Sequence, residues 1–290
     1  MTLSSSITAA PADSAPRRRF ADLVGCRGAD FDLAAAALAI SAEENPDLDP
    51  LPCLAELDAL AAEVAPRLAG LGAGAAAEVA RLDTLRRFLF VEKGFHGNRD
   101  DYYDPANSLL DRVLARRTGI PITLAIVLIE VGRRVGVPLL GVAFPGHFLV
   151  RHALHPRVLL DPFAGRFITH RGCRELLDCL AGGAIPFHPR RLAPVGGRCI
   201  LLRLLNNLRA VYGTRGEVDR TLAILDRMLL LAPDNAVHLR ERGLLHLQRG
   251  DLSRALEDLG RYLAVEPEAP DRDAVESLLA VGEQRMSVVH

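Results

Sequence analysis

The sequence predicts an α+β fold with a helical N-terminal part, a small antiparallel sheet and a C-terminal array of helical hairpins. A glycine–proline turn ending at Pro121 opens an apolar helix of about four turns, which ends near Gly136. Short apolar segments with strand character follow it as far as Asp161. A further strand is predicted at Arg166–Thr169 and a short helix at Glu175–Leu180. From Ile200 onward, apolar residues recur at helical spacing in two copies about 34 residues apart.

Composition excludes several classes of protein. The chain has 290 residues, a net charge of −1 and 49% hydrophobic residues, which is typical of a globular protein and lacks the basic excess of a nucleic-acid-binding protein. The longest apolar run, Ile122–Ile129, is far shorter than the roughly 20 residues that cross a bilayer, so no membrane partner is predicted.

The cysteines predict a reduced, cytoplasmic protein without a disulfide or zinc framework. Their spacing is irregular and contains no C-x-x-C pair. They are Cys26, Cys53, Cys173, Cys179 and Cys199. No pattern in the chain indicates a cofactor or a metal.

The chain is predicted to have three parts. Residues 1–19 form a disordered tail, residues 20–195 a core domain with N-terminal helices, and residues 196–290 a helical domain. The tail is rich in Ser, Ala and Pro and ends in three arginines. Its prolines favour disorder over the alternative interpretation as an arginine-bearing organelle presequence.

Three helices are predicted ahead of the core helix. Asp32 caps the first, which covers Leu33–Ser41 and is ended by Asn45-Pro46. The second runs to about Pro66, and the third ends before Gly94. They carry no recognisable chemistry, so we expect them to cover the helix that begins at Pro121.

His147 and Asp161 are the candidate catalytic pair. His147 follows a Pro145-Gly146 turn at the predicted start of the second strand, and Asp161 ends the third. An aspartate-oriented imidazole can act as a general base, but a buried His–Asp pair can equally lock a sheet, and we favour this second interpretation. A hairpin centred near Leu154 would place the two residues opposite each other. A turn at His155-Pro156 would offset them by about three residues, or roughly 10 Å, too far for a hydrogen bond.

A histidine metal site is disfavoured. His147, His152 and His155 are close in sequence. Strand alternation distributes them over both faces of the sheet, so they do not predict a metal cluster.

The loop before the core helix is polar and rich in turn-forming residues. Asn107 or Ser108 is expected to cap a helix that runs through Arg116. The candidate residues for lining a cleft beside His147 are Tyr102, Tyr103 and Asp104, together with Asn107 and Ser108. The alternative, which we favour, is a loop that joins two helices through hydrogen bonds.

The chain resembles the transglutaminase-like superfamily. The small residues Gly119, Ala125 and Gly136 and the H-F-L-V and D-P-F segments carry this similarity, and D-P-A-N-S-L-L followed by R-T-G-I-P-I-T-L is its most distinctive string. The match looks closest to the bacterial SirB-type branch, in which tetratricopeptide (TPR) repeats follow the core.

The resemblance implies a papain-like core in which a cysteine begins the helix, a histidine lies on the next strand and an aspartate on the one after. The alignment places His147 and Asp161 on that histidine and aspartate, and Pro121 on the cysteine. No cysteine lies between Cys53 and Cys173, so a shift of a residue or two recovers none. The implied triad is therefore degenerate.

The hydroxyl groups that could replace the missing cysteine as nucleophile are poorly suited to that role. Thr123 is the nearest hydroxyl, but it lies one turn into an apolar helix and needs a close base to react. Ser108 is a second hydroxyl. Cys173 and Cys179 follow the histidine and aspartate in the sequence, and only the fold decides whether either reaches His147.

The C-terminal repeat has the TPR period. Gly216 and Gly250 match at about 34 residues, and Gly243, Ala255 and Pro267 occupy TPR consensus positions. The copies are divergent, because the aromatic signature residues are mostly missing. Two units and a last helix at Asp273–Gln284 are predicted, either as a groove for a peptide or protein partner or as a structural support for the core.

Three function classes follow from these patterns. We predict a non-catalytic transglutaminase-like protein that acts as an interaction or regulatory module through its TPR-like helices. The first alternative is a cysteine-lacking hydrolase or amide-transfer enzyme that uses His147 and Asp161 with Thr123 or a displaced cysteine. The second is a ligand-binding pocket without chemistry.

Overall fold

A computed structural model describes residues 14–25 and 31–288, with side chains described to residue 284. Cys26 and residues 1–13 of the predicted tail lie outside the described residues. The chain divides into two compact units, of which Ser14–Asn207 is the larger. The division falls inside a helix, Gly197–Thr214, downstream of the predicted boundary at residues 195–196.

The larger unit begins with helices. These are α1 Ala15–Gly25, α2 Leu33–Glu44, α3 Pro50–Ala69, α4 Ala75–Arg87, α5 Leu110–Arg116 and α6 Pro121–Arg134. A π-helical turn, Phe88–Glu92, continues α4, and a 3₁₀ turn, Pro105–Ser108, precedes α5.

Helix α1 corrects part of the tail prediction. The helix already includes Ala15–Arg19, because Pro16 is compatible with a first helical turn. Phe20 is buried, and the buried Arg17 pairs with Glu43 of α2 at 2.9 Å. These contacts hold the segment in a helix, so the disorder that was predicted from the prolines is wrong for Ala15–Arg19.

The other N-terminal helices agree with prediction except at their ends. Asp32 caps α2 by accepting a hydrogen bond from the Ala35 N–H at 2.9 Å, as predicted. Helix α2 continues past Ser41 but ends at Glu44, directly before the predicted stop at Asn45-Pro46, whereas α3 continues one turn past Pro66. A proline near the end of a helix removes one backbone donor without ending the helix.

Helix α6 is the centre of the larger unit. Most of its residues are buried, and α2, α3, α4 and α5 pack against it. It begins at Pro121 and is followed by Gly136, whose φ of 71° suits glycine. This confirms both the predicted limits of the helix and its cover by the N-terminal helices.

The main sheet is antiparallel, with strand order β3-β4-β5-β6. Its strands are β3 Leu139–Val142, β4 Leu149–His152, β5 Leu159–Asp161 and β6 Arg166–Ile168. A short parallel pair, β1 His96–Gly97 and β2 Thr118–Gly119, lies just before α6. The small antiparallel sheet and β6 were predicted, but β4 begins two residues after His147, so the predicted strand start is wrong.

Helix α7, His170–Ala181, covers one face of the sheet. Its Cys173 and Leu177 form a buried cluster with Val142, Leu149 and Leu159. The helix is longer than the predicted Glu175–Leu180, because Thr169 caps it by accepting a hydrogen bond from the Gly172 N–H.

The C-terminal unit is an array of helices. They are the part of α8 (Gly197–Thr214) from Leu208 onward, α9 Val218–Leu231, α10 Ala236–Arg249, α11 Leu252–Val265 and α12 Arg272–Val288. Helices α9 and α11 have the same length, and they begin and end at positions related by the predicted repeat of about 34 residues. Gly216 and Gly250, which precede them, both have a positive φ. The internal repeat is therefore confirmed. Along residues 14–25 and 31–288, no helix is long and apolar enough to cross a bilayer.

Candidate functional site

The start of α6 has no thiol. The strand pair β1–β2 leads directly into it, and Ile120 adopts an extended backbone before the first helical residue, Pro121. The first N–H of a helix has no partner within the helix, so a proline at this position costs no hydrogen bond. Pro121 therefore fits the fold while it supplies no reactive group.

The Thr123 hydroxyl is fully engaged at the same helix end. It accepts a hydrogen bond from the Ile120 N–H at 3.1 Å and lies 2.7 Å from the Asn107 carbonyl oxygen, to which it donates. Thr123 is completely buried. It thus caps the helix and joins it to the preceding loop.

His147 and Asp161 are brought together. His147 Nε2 lies 2.9 Å from Asp161 Oδ1, and both side chains are buried. A tight turn positions the histidine, because the His147 N–H donates to the Phe144 carbonyl at 3.0 Å. Among the described residues, His147 Nδ1 has no hydrogen-bond partner.

The surroundings of Asp161 favour its ionised form. Its Oδ1 also accepts hydrogen bonds from the Phe163 and Ala164 N–H groups at 3.0 and 3.2 Å. Burial alone would raise the pKa of Asp161, but the hydrogen bond and charge interaction with His147 and these backbone donors outweigh it and lower the pKa. The aspartate therefore orients the imidazole as an ionised partner.

The strand register that was predicted to be necessary for contact between His147 and Asp161 is not the one observed. The β4–β5 register pairs Val150 with Leu160 and Arg151 with Leu159, so the hairpin is centred at His155 rather than near Leu154. This register lies between the two predicted alternatives and places Asp161 two residues away from the position opposite His147. The pair still bonds, because His147 lies in a bend outside β4 and its imidazole reaches diagonally towards the end of β5.

A row of aromatic rings extends from His147 through Phe163, which was not predicted, to Tyr102 and Tyr103. The Phe163 ring centre lies 6.1 Å from that of His147 and 5.9 Å from that of Tyr102. Tyr102 in turn lies 5.3 Å from Tyr103. The Arg99 guanidinium lies 5.6 Å from the Phe163 ring centre. The D-P-F segment was noted, but its phenylalanine was given no role.

Phe163 also connects the histidine to the start of α6. A Cβ atom on Gly97 would lie 2.3 Å from the Phe163 ring, so only glycine allows this close approach. Gly97 pairs with Gly119, two residues before Pro121. The ring is therefore next to both parts of the implied triad.

The candidate cleft residues occupy different environments. Tyr103 is exposed, whereas Asn107 and Ser108 are buried. The Asn107 amide accepts from Asn98 Nδ2 and donates to the Asp101 carbonyl, so it braces the loop from within. Neither Asn107 nor Ser108 caps α5, because both belong to the preceding 3₁₀ turn; the predicted cap is wrong.

The thiols are outside this arrangement. Cys173 belongs to the buried apolar cluster under α7, where burial and the charge of Asp161 raise its pKa to about 11. Cys179 is exposed. Burial likewise raises the pKa of Cys53 and Cys199. A protonated, buried thiol is a poor nucleophile.

The remaining histidines form no metal cluster among the described residues. His152 is buried, with Nε2 3.4 Å from a carboxylate oxygen of Glu78. Its ring lies 5.1 Å from that of His155. Burial and the charge of His155 lower the pKa of His152, which favours a neutral structural role.

The C-terminal helices carry exposed apolar side chains. Val237 at the start of α10 is 68% exposed, and Leu230 near the end of α9 is 40% exposed. Exposed apolar residues on a helical repeat are candidates for partner contact.

Comparison with known proteins identifies related sequences. A family profile described as the transglutaminase-like superfamily matches residues 52–206, which include Pro121, His147 and Asp161. A tetratricopeptide repeat profile matches residues 208–280. No solved structure matches.

The relatives include proteins of similar and of greater length. A UPF0162 protein of Xylella fastidiosa (strain 9a5c) is 44% identical over 201 residues, covering 67% of this chain and 71% of the relative. A UPF0162 protein of Pseudomonas aeruginosa is 38% identical over 230 residues, covering 76% and 82%. Human F-box only protein 21 is 30% identical over 183 residues, covering 58% of this chain and 28% of that protein.

Proposed function

This chain belongs to the transglutaminase-like superfamily and to the UPF0162 family, and we propose that it is a non-catalytic member that binds a protein partner through its TPR repeats. The supporting observation is Pro121 at the first position of α6, where the superfamily resemblance expects a cysteine. The SirB-type assignment and a cytoplasmic location belong to the same proposal. The free state of the described cysteines supports that location.

The neighbouring groups support a non-catalytic core. Reaction of the Thr123 hydroxyl would break its bonds to Ile120 and Asn107, which stabilise the start of the helix. Cys173 is protonated at neutral pH, since its pKa is raised to about 11. His147 therefore has an orienting aspartate without a described nucleophile in its hydrogen-bond contacts.

The repeat unit supplies the proposed binding surface. Two repeats bury their own apolar cluster, which includes Leu239, Leu259 and Tyr262. Val237 and Leu230 remain exposed beside it. An apolar surface on a rigid helical array suits a partner helix or peptide.

Partner binding is tested with two matched substitutions. Val237→Glu places a charge on the repeats at a residue that is 68% exposed, and Val91→Glu makes the same change in the larger unit at a residue that is 67% exposed. We expect partners recovered with the full chain by quantitative co-purification to be lost with Val237→Glu and kept with Val91→Glu. Equal recovery with both variants would contradict the proposed surface.

A second candidate function is supported by the intact His147–Asp161 pair. An imidazole whose Nε2 contacts a carboxylate can take up a proton at Nδ1, so a water-activating amide hydrolase is the alternative. We expect no glutamine-peptide deamidation or amine incorporation by the full chain above that of His147→Ala. Activity that disappears in His147→Ala would favour the enzyme over the non-catalytic protein.

A further inference from the structure

An open groove of about 580 Å³ lies at the far end of the β5–β6 pair from Asp161. Its apolar walls come from α4, the β4–β5 turn and the β5–β6 pair. They are formed by Val79, Val158, Leu159, Phe167 and Ile168. Neither His147 nor Asp161 lines it, so this groove is separate from the candidate site. Its volume is in the range of small-molecule sites.

The groove carries positive charge. Arg157 supplies this charge, and no carboxylate of the described residues lines the groove. Arg157 is exposed and has no ion-pair partner among the described residues. Glu78, the residue before Val79, is not part of the lining, and its carboxylate lies 3.4 Å from His152 Nε2. An anion entering the groove would therefore meet a cation that is free to pair.

The start of α7 adds to the positive electrostatic potential in the groove. Thr169 caps the helix, His170 begins it, and both residues line the groove. The first turn of a helix carries partial positive charge from its unpaired N–H groups. The field at this end of the groove therefore has the same sign as Arg157.

We propose that this groove binds a small aliphatic monocarboxylate. The carboxylate pairs with the Arg157 guanidinium beside His170, and the aliphatic chain packs on the walls formed by Val79, Phe167 and Ile168. A planar guanidinium suits one carboxylate through two parallel hydrogen bonds. Among the described residues, Arg157 is the one guanidinium that lines the groove, and the other walls are mostly apolar, so a ligand with a single carboxylate is favoured over dicarboxylates and phosphate esters.

Titration of the full chain with octanoate, octylammonium and hexanoate tests the proposal. Two-dimensional NMR should show saturable shifts with octanoate, including amides of residues 157–159 and 167–170. Octylammonium should cause none of these shifts. Hexanoate should bind roughly fourfold to fifteenfold more weakly, because two fewer methylene groups are buried. Saturable binding of octylammonium, or no saturation with octanoate, would overturn the proposal.

Two variants locate the site. Arg157→Gln removes the charge and should weaken octanoate binding about tenfold or more. Val79→Glu introduces a carboxylate at a half-buried helical position and should abolish binding by repulsion. Arg112→Gln, at an exposed arginine of α5, is the control and should bind octanoate normally. Circular dichroism verifies that each variant is folded, and unchanged affinity in both groove variants would also overturn the proposal.

Discussion

Asp161 shows how a single side chain can serve folding and a candidate site together. Its Oδ1 accepts two backbone N–H groups and lies 2.9 Å from His147 Nε2. The backbone bonds fix the D-P-F turn, while the histidine bond fixes the imidazole. The same geometry therefore persists whether or not the pair performs chemistry, which is why the pair alone does not identify an enzyme.

The lowered pKa of Asp161 predicts a pH-dependent contribution to stability. The unfolded carboxyl has a pKa of about 3.9, and the folded one is lower. The ionised form thus stabilises the fold above about pH 4, and this contribution is lost as pH falls through the folded pKa. We expect Asp161→Asn to lower the free energy of unfolding by about 1–3 kcal/mol at pH 7.

Urea unfolding at pH 7 and at pH 3 checks this effect. The difference between wild type and Asp161→Asn should shrink at the lower pH. Asp178→Asn, at an exposed aspartate of α7, should have little effect at either pH. A difference for Asp161→Asn that does not change with pH would contradict the assignment.

Helix α6 depends on the Thr123 hydroxyl at its start. This hydroxyl accepts from the Ile120 N–H and donates to the Asn107 carbonyl. It therefore joins the helix to the 3₁₀ turn, Pro105–Ser108, as well as capping it. A role in the fold explains this residue without catalysis.

Thr123→Val retains the shape of the side chain and removes these hydrogen bonds. We expect the free energy of unfolding to fall by about 1–3 kcal/mol, because the buried Ile120 and Asn107 groups lose their partner. Thr214→Val is the control, since the Thr214 hydroxyl donates to the Ala210 carbonyl at an exposed position. Equal midpoints of urea unfolding for the two variants would contradict the structural role of Thr123.

Local patterns predicted the elements better than their long-range contacts. The limits of α6 and the repeat of α9 and α11 follow from residues close in sequence, and both were predicted correctly. The diagonal bond from His147 depends on a bend and a register that residue spacing does not determine. Phe163 was missed because its neighbour Gly97 is distant in sequence, and glycine alone does not indicate which ring approaches it.

At the scale of the whole molecule, each compact unit has its own buried cluster. In the repeat unit, a charged residue also connects the helices. Arg242 of α10 pairs with Asp226 of α9 at 2.8 Å and with Asp258 of α11 at 2.6 Å. The Asp258 side chain is only 2% exposed, so Arg242 compensates a carboxylate that is removed from water.

Arg242→Met should destabilise the repeat unit strongly. It leaves the buried Asp258 carboxylate without its cation, which costs about 3–5 kcal/mol. Hydrogen exchange should show lower protection in α9, α10 and α11. Arg254→Met removes an exposed pair with Asp251 and should cost less than about 1 kcal/mol.

A double variant tests whether the unpaired Asp258 carboxylate causes the loss of stability in Arg242→Met. Adding Asp258→Asn to Arg242→Met removes the uncompensated charge, so part of the lost protection should return. No recovery would indicate that Arg242 acts through packing of its aliphatic stem instead.

Pro121 shows that the fold around the start of α6 does not depend on a reactive side chain at that position. The first helical position tolerates residues with and without a backbone donor, so stability selects weakly among them there. Exchange between a thiol and a proline ring at that point would leave the surrounding helices in place. The start of this helix therefore accommodates Pro121 without any need for a reactive side chain at that position.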